Sequence, residues 1–100
     1  MNKLIIDTTD NRTTTIRLEF DDKVDEVTKV APPRTQVALV LISEILKKNN
    51  LSPKNLDEIE VNTGPGSFTG TRVGVAIANA LGFSAGVKVN GKIAVEPKYD

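Results

Sequence analysis

Between residues 64 and 72 the chain reads Gly64-Pro65-Gly66-Ser67-Phe68-Thr69-Gly70-Thr71-Arg72. Glycine permits positive φ and lets a ligand or another backbone approach closely. Amides at the start of a helix favour anions. Ser67 and Thr69 add hydroxyls, and Arg72 adds a cation in the first helical turn. A phosphate group is the ligand this chemistry suits, with Gly64, Gly66, Ser67, Thr69, Gly70 and Arg72 as candidate contacts. The spacing departs from standard fingerprints. No lysine follows Gly70, as a P-loop needs, and three residues separate Gly66 from Gly70 where the dinucleotide pattern has two. Pro65 also removes an amide donor. The competing reading is a rigid strand-to-helix turn with no ligand. Asp7, closing an apolar run, is the other candidate contact, against a reading as a capping or hairpin carboxylate.

The rest of the composition narrows the chemistry. The 100 residues contain no cysteine and no histidine, so thiolate zinc sites, cysteine nucleophiles and a Ser-His-Asp triad are excluded. Thirteen basic residues balance thirteen acidic ones, which gives no overall electrostatic attraction to nucleic acid or to an anionic membrane. No stretch is long enough to span a bilayer, and the start lacks the apolar core of a signal peptide, so a cytoplasmic protein with no membrane partner is expected.

The elements that would hold the turn follow from periodicity. Lys3 to Thr8 is a buried strand. Thr13 to Phe20 alternates, with Ile16, Leu18 and Phe20 on one face, and Val24 to Val30 is a more charged edge strand. A helix is expected from an N-cap at Thr35 to about Lys48. A strand spans Leu56 to Thr63, and a second helix runs from about Thr69 to about Ala85. A last strand or hairpin around Gly91 and a frayed end from Glu96 to Asp100 complete an α/β domain of order β-β-β-α-β-α, with a final β. Both helices are apolar almost all round. One face can pack on a sheet; the remainder predicts an interface, with Val37, Leu41 and Ile45 from the first helix and Val73, Ala76, Ile77 and Ala80 from the second.

The heptapeptide Gly64–Gly70 with Arg72-Val73-Gly74 strongly resembles the signature of the TsaB (YeaZ) family, in the glycoprotease-like branch of the actin/Hsp70/sugar-kinase superfamily. Leu4-Ile5-Ile6-Asp7-Thr8-Thr9 resembles the family's first strand, and Arg34-Thr35-Gln36 its polar helix start. The resemblance implies a ribonuclease-H-like, actin-like ATPase domain with a five-stranded mixed sheet. It implies a part in making threonylcarbamoyladenosine on tRNA as a non-catalytic subunit, with tRNA met only through the complex. The partners it implies are a TsaD-like catalytic subunit or a second copy, joined through a bundle of the two helices, with a TsaE-like ATPase in the assembly. Family members usually carry a second domain of the same fold, so residues 1–100 are expected to be one TsaB-like N-terminal domain with that second domain absent. Superfamily nucleotide sites lie between two such domains, so no ATP is expected on this chain alone. Alternatives that the residues leave open are a nucleotide- or phosphate-binding module at Gly64–Arg72 and a stand-alone dimerisation domain.

Overall fold

In the computed structural model, which describes residues 1–98, the first three strands form an antiparallel meander. Strands β1 (Lys3–Asp7), β2 (Thr13–Phe20) and β3 (Lys23–Val30) are followed by helix α1 (Thr35–Lys48), strand β4 (Glu58–Val61) and helix α2 (Phe68–Ala85). The sheet order is β3-β2-β1-β4, with β4 parallel to β1. The β2–β3 connection is a two-residue turn in which Asp21 and Asp22 both take positive φ (48° and 59°). That mirror-image turn matches the strands' right-handed twist.

Alternation along the strands decides which face is buried. Leu4, Ile6, Ile16, Leu18, Ile59 and Val61 lie on one face, paired across the ladder as Leu4–Leu18, Ile6–Ile16, Leu4–Ile59 and Ile6–Val61, and all are buried. Both helices cover this face. α1 contributes Ala38, Leu41, Ile42, Ile45 and Leu46, and α2 contributes Val75, Ile77 and Ala78. The opposite face carries the half-exposed Lys3, Ile5, Thr15 and Arg17. No helix among the described residues is long and apolar enough to cross a membrane.

Two boundaries and the strand count differ from the sequence expectation. Thr35 is the first helical residue of α1; the N-cap is Arg34, in an extended conformation and without a side-chain cap. At the other end Asn50 takes the left-handed conformation (φ 58°), and the amides of Asn50 and Leu51 close on the carbonyls of Lys47 and Leu46. This is the double closure that ends many helices, with asparagine in glycine's place. β4 is half the expected length, because Leu56 is followed by a turn whose Asp57 and Glu58 amides bond to Asn2.

The third difference concerns the fifth strand: the sheet has four strands among the described residues. The expected hairpin around Gly91 does form, as a two-residue Asn90–Gly91 turn with both φ positive, but it closes only one pair, Val89 with Lys92. Against β4 the segment makes one parallel bridge, Ile59 with Val89. The next rung is made by a side chain. The Val61 amide donates to Asn90 Oδ1 (2.8 Å) and Asn90 Nδ2 donates to the Val61 carbonyl (3.0 Å). Asn90 turns the chain away and lets its amide group stand in for the peptide that a longer strand would have supplied. The terminal Tyr99 and Asp100 of the expected frayed end lie outside the described residues.

Candidate functional site

The Gly-rich turn joins β4 to α2 and is tied down from beneath by the end of β1. Ser67 is the N-cap of α2, its hydroxyl accepting from the Gly70 amide at 3.3 Å. Its own amide donates to the Thr9 carbonyl at 2.7 Å, and the Thr71 amide bonds back to the Ser67 carbonyl at 2.9 Å. The Gly64 amide donates to Asn62 Oδ1 at 3.0 Å. Four amides that a phosphate would use therefore already hold protein acceptors. Gly64 is the residue whose φ, 101°, calls for glycine. Arg72 extends along the surface with its guanidinium 5.3 Å from the centroid of the Phe68 ring, a cation–π contact. Thr69 is exposed.

Gly66, Gly70 and Gly74 serve packing. A side-chain carbon at Gly70 would collide with the Thr8 carbonyl oxygen, and one at Gly74 with the Thr8 hydroxyl. A carbon at Gly66 would come within 2.7 Å of Thr9. Thr8 is fully buried, and its hydroxyl donates to the Gly70 carbonyl at 2.6 Å. The first two turns of α2 thus lie directly on the end of β1, closer than any residue with a Cβ would allow.

Asp7 stands at the same strand end, on the open face. It accepts from the Thr9 amide (3.0 Å), the Thr9 hydroxyl (2.7 Å) and Asn62 Nδ2 (3.2 Å). Burial pushes its carboxyl up, but the Thr9 amide, the Thr9 hydroxyl and the Asn62 amide together outweigh that and hold it below the ordinary carboxylate value. Asp7 and Asn62 border an open depression of about 640 Å³, with Glu58, Glu60 and Asn90. Among the described residues no group of three His, Cys, Asp or Glu could hold a metal ion. The structure brings Asp7, Thr9 and Ser67 into one hydrogen-bonded chain and adds Asn62 and Asn90, which the sequence reading missed. An asparagine just past a strand, and one before a glycine, were the only signals.

The expected interface residues divide. Leu41, Ile45 and Ile77 belong to this chain's own core and are 6%, 3% and 5% exposed, so they offer a partner no surface. That corrects the expectation: an all-round apolar helix gives no periodic cue to which side faces the sheet. Val37 and Val73 are half-buried, whereas Ala76 and Ala80 are exposed. On α2, Thr69, Val73, Ala76, Ala80 and Phe83 recur at alternating four- and three-residue steps along the outer side. This is the spacing of a helix seam that packs on another helix. Phe83 is 88% exposed, and Leu39 and Val40 of α1 are also exposed.

Comparison with known proteins decides the family. The profile described as "TsaD: tRNA N6-adenosine threonylcarbamoyltransferase" matches residues 28–91. The TsaB protein of Bacillus subtilis, a "tRNA threonylcarbamoyladenosine biosynthesis protein", is 32% identical over 98 residues, covering 96% of this chain and 42% of that one. Its Haemophilus influenzae counterpart is 44% identical over 55 residues, covering 55% of this chain and 23% of the relative. The chain belongs to the TsaB (YeaZ) family. YeaZ from Pseudomonas aeruginosa superposes with a TM-score of 0.83 at 24% identity, over 95% of this chain and 43% of that one, and so shares the fold. The chain spans less than half the length of these relatives.

Proposed function

We propose that this chain is a non-catalytic subunit in tRNA threonylcarbamoyladenosine biosynthesis, docking a TsaD-like catalytic subunit or a second copy through the outer face of α2. The observation that carries it is the uncharged seam Val73-Ala76-Ala80-Phe83, small at Ala76 and Ala80, on a helix whose inner side is closed onto β1 through Gly70 and Gly74. Small residues permit close helix approach, and a helix seated without slack presents that seam at a fixed angle. Family membership supports the pathway. A TsaE-like ATPase and tRNA would join through the complex, in the cytoplasm.

Phosphate or nucleotide binding at Gly64–Arg72 has less behind it. The amides of Gly64, Ser67, Gly70 and Thr71 are engaged by the protein, and Arg72 is stacked on Phe68. In this reading the turn is a rigid connector, and Asp7 caps the end of β1.

Co-purification with a TsaD-like subunit tests the seam. Ala76→Glu and Ala80→Glu are expected to abolish capture while leaving the fold intact by circular dichroism. Capture that survives both substitutions sinks the seam. Calorimetry with ATP and magnesium is expected to give no binding heat; saturable heat lost on Arg72→Ala would favour the nucleotide reading.

A further inference from the structure

The two edges of the sheet are finished differently. The outer edge of β4 is met by residues 88–90 and by the Asn90 amide group. The outer edge of β3 is met by no strand among the described residues, although it runs for eight residues. An open edge of that length is a template for another chain. The two-residue turn before β3 makes Phe20 and Lys23 a hydrogen-bonded pair. Every second pair from there, through Leu18–Asp25 and Ile16–Val27 to Thr14–Lys29, spends its backbone groups inside the hairpin. Thr28 therefore turns both its amide and its carbonyl to the open edge.

Beside that edge, between β3 and α1, lies a depression of about 390 Å³. Lys29 lines it from the strand, and Arg34, Val37, Val40, Leu41 and Glu44 line it from the helix and its cap. Its floor is apolar, and Val40 is half exposed to it at 50%. One end is closed. There Asp25 accepts from Asn49 Nδ2 at 2.9 Å and pairs with Lys48 at 3.3 Å, which fastens the last turn of α1 to the start of β3. The other end carries Lys29 and Arg34, both exposed and in no ion pair among the described residues. An open strand edge beside a helix, with an apolar groove between them, is the geometry that takes up a peptide as an added strand.

We infer that β3 and α1 dock an extended segment of a different protein, laid antiparallel on the β3 edge and reading acidic residue, any residue, apolar residue. The middle residue pairs with Thr28 and exchanges both backbone hydrogen bonds with it. Its neighbours stand opposite Lys29 and Val27, which lie on the helix side of the sheet beside Thr14 and Ile16. Their side chains therefore fall on that side too, as a strand period of two requires. The acidic one meets Lys29, with Arg34 on the facing wall, and the apolar one meets Val37, Val40 and Leu41. Glu44 on the rim repels a second carboxylate and so fixes the order. Main-chain bonds supply affinity, and the alternate side chains supply selection. A second copy of β3 lacks this chemistry: its acidic residue on the helix side is Asp25, which Lys48 and Asn49 already hold. Because α1 packs on β2 and β3 while α2 packs on β4 and β1, the groove lies away from the α2 seam and leaves it free.

The probe is a capped peptide, threonine-glutamate-threonine-isoleucine-threonine, titrated into the isotope-labelled full chain and followed by amide NMR. Saturable shifts are expected at Thr28, Val30, Val37 and Val40. A methyl group on the central threonine nitrogen removes the donor to the Thr28 carbonyl and should weaken binding about tenfold or more. Lys29→Glu with Arg34→Glu, both at exposed sites, should weaken it by a similar factor. That variant should then prefer the peptide with lysine in place of glutamate, since opposite charges across a strand pair attract and like charges repel. Circular dichroism checks that its fold is kept. The absence of any saturable shift at the highest soluble peptide concentration overturns the proposal. Binding that ignores both the methyl group and the charge reversal overturns it as well. So do β3 amide signals that move on dilution of the chain alone, which would put a second copy on the edge. Neither substituted residue lies on α2, so the result is read apart from docking at the seam.

Discussion

Helix α2 carries small residues on two opposite sides, and they do different work. Inward, Gly70 and Gly74 have no side chain because Thr8 occupies the space where one would stand. Outward, Ala76 and Ala80 are small and exposed among the described residues. Small residues on the inner side are forced by packing within the chain. On the outer side they are free of that constraint; in the proposed docking, close approach by a second helix would account for them. Residue size alone does not separate an interface from a core contact; the atoms a larger side chain would meet do.

The sharpest way to break this contrast is to enlarge one residue on each side of the same helix. Gly74→Val drives two methyl groups into the buried Thr8 hydroxyl and is expected to cost about 3 kcal/mol, as overpacking does. Urea denaturation measures it, and an unchanged midpoint would refute the forced packing. Ala80→Glu should leave stability within about 0.5 kcal/mol. It should nevertheless weaken capture of a TsaD-like partner by about 2 kcal/mol, the scale of an interface hot spot, as read by titration calorimetry.

Two smaller effects concern what holds the turn's surroundings. Asn90→Ala removes both bonds to the Val61 backbone and should cost about 1–2 kcal/mol. Hydrogen exchange at the Val61 amide should accelerate; unchanged protection would show that the Asn90 amide does not serve as a ladder rung. The smallest effect is at Asp7. Its folded-state value lies below the ordinary one, so its contribution is complete above the unfolded value near pH 4 and fades as pH falls through the lowered value. Asp7→Asn should therefore flatten the acid side of the stability profile by a few tenths of a kcal/mol, discounted for its partial exposure. Thermal unfolding followed from pH 7 to pH 3 checks the slope.

Much of the domain is legible in the residues. Alternation in Thr13–Phe20 and the apolar run from Leu4 fix both strands and their buried faces, because a period of two leaves one choice of side. The turn residues mark the breaks, and Asn90-Gly91 marks a hairpin that does form. Sequence reading fails where one residue can satisfy two demands. Asn90 serves both as a turn residue and as a partner for β4, so the expected fifth strand shrinks to one bridge. It fails again where the pattern carries no direction. Leu41, Ile45 and Ile77 are as apolar as their exposed neighbours Leu39 and Val40, and only the contact with the sheet separates them.

The sequence by itself determined the order of the elements, the absence of histidine and cysteine, and the family signature, because each is a local property of residue type and spacing. The tertiary structure decided what the signature's glycines are for. Their role depends on Thr8, about sixty residues away in the chain, and no local pattern encodes which backbone will lie against which. The same holds for the outer side of α2, which faces outward only because the fold spends the helix's other side on its own core.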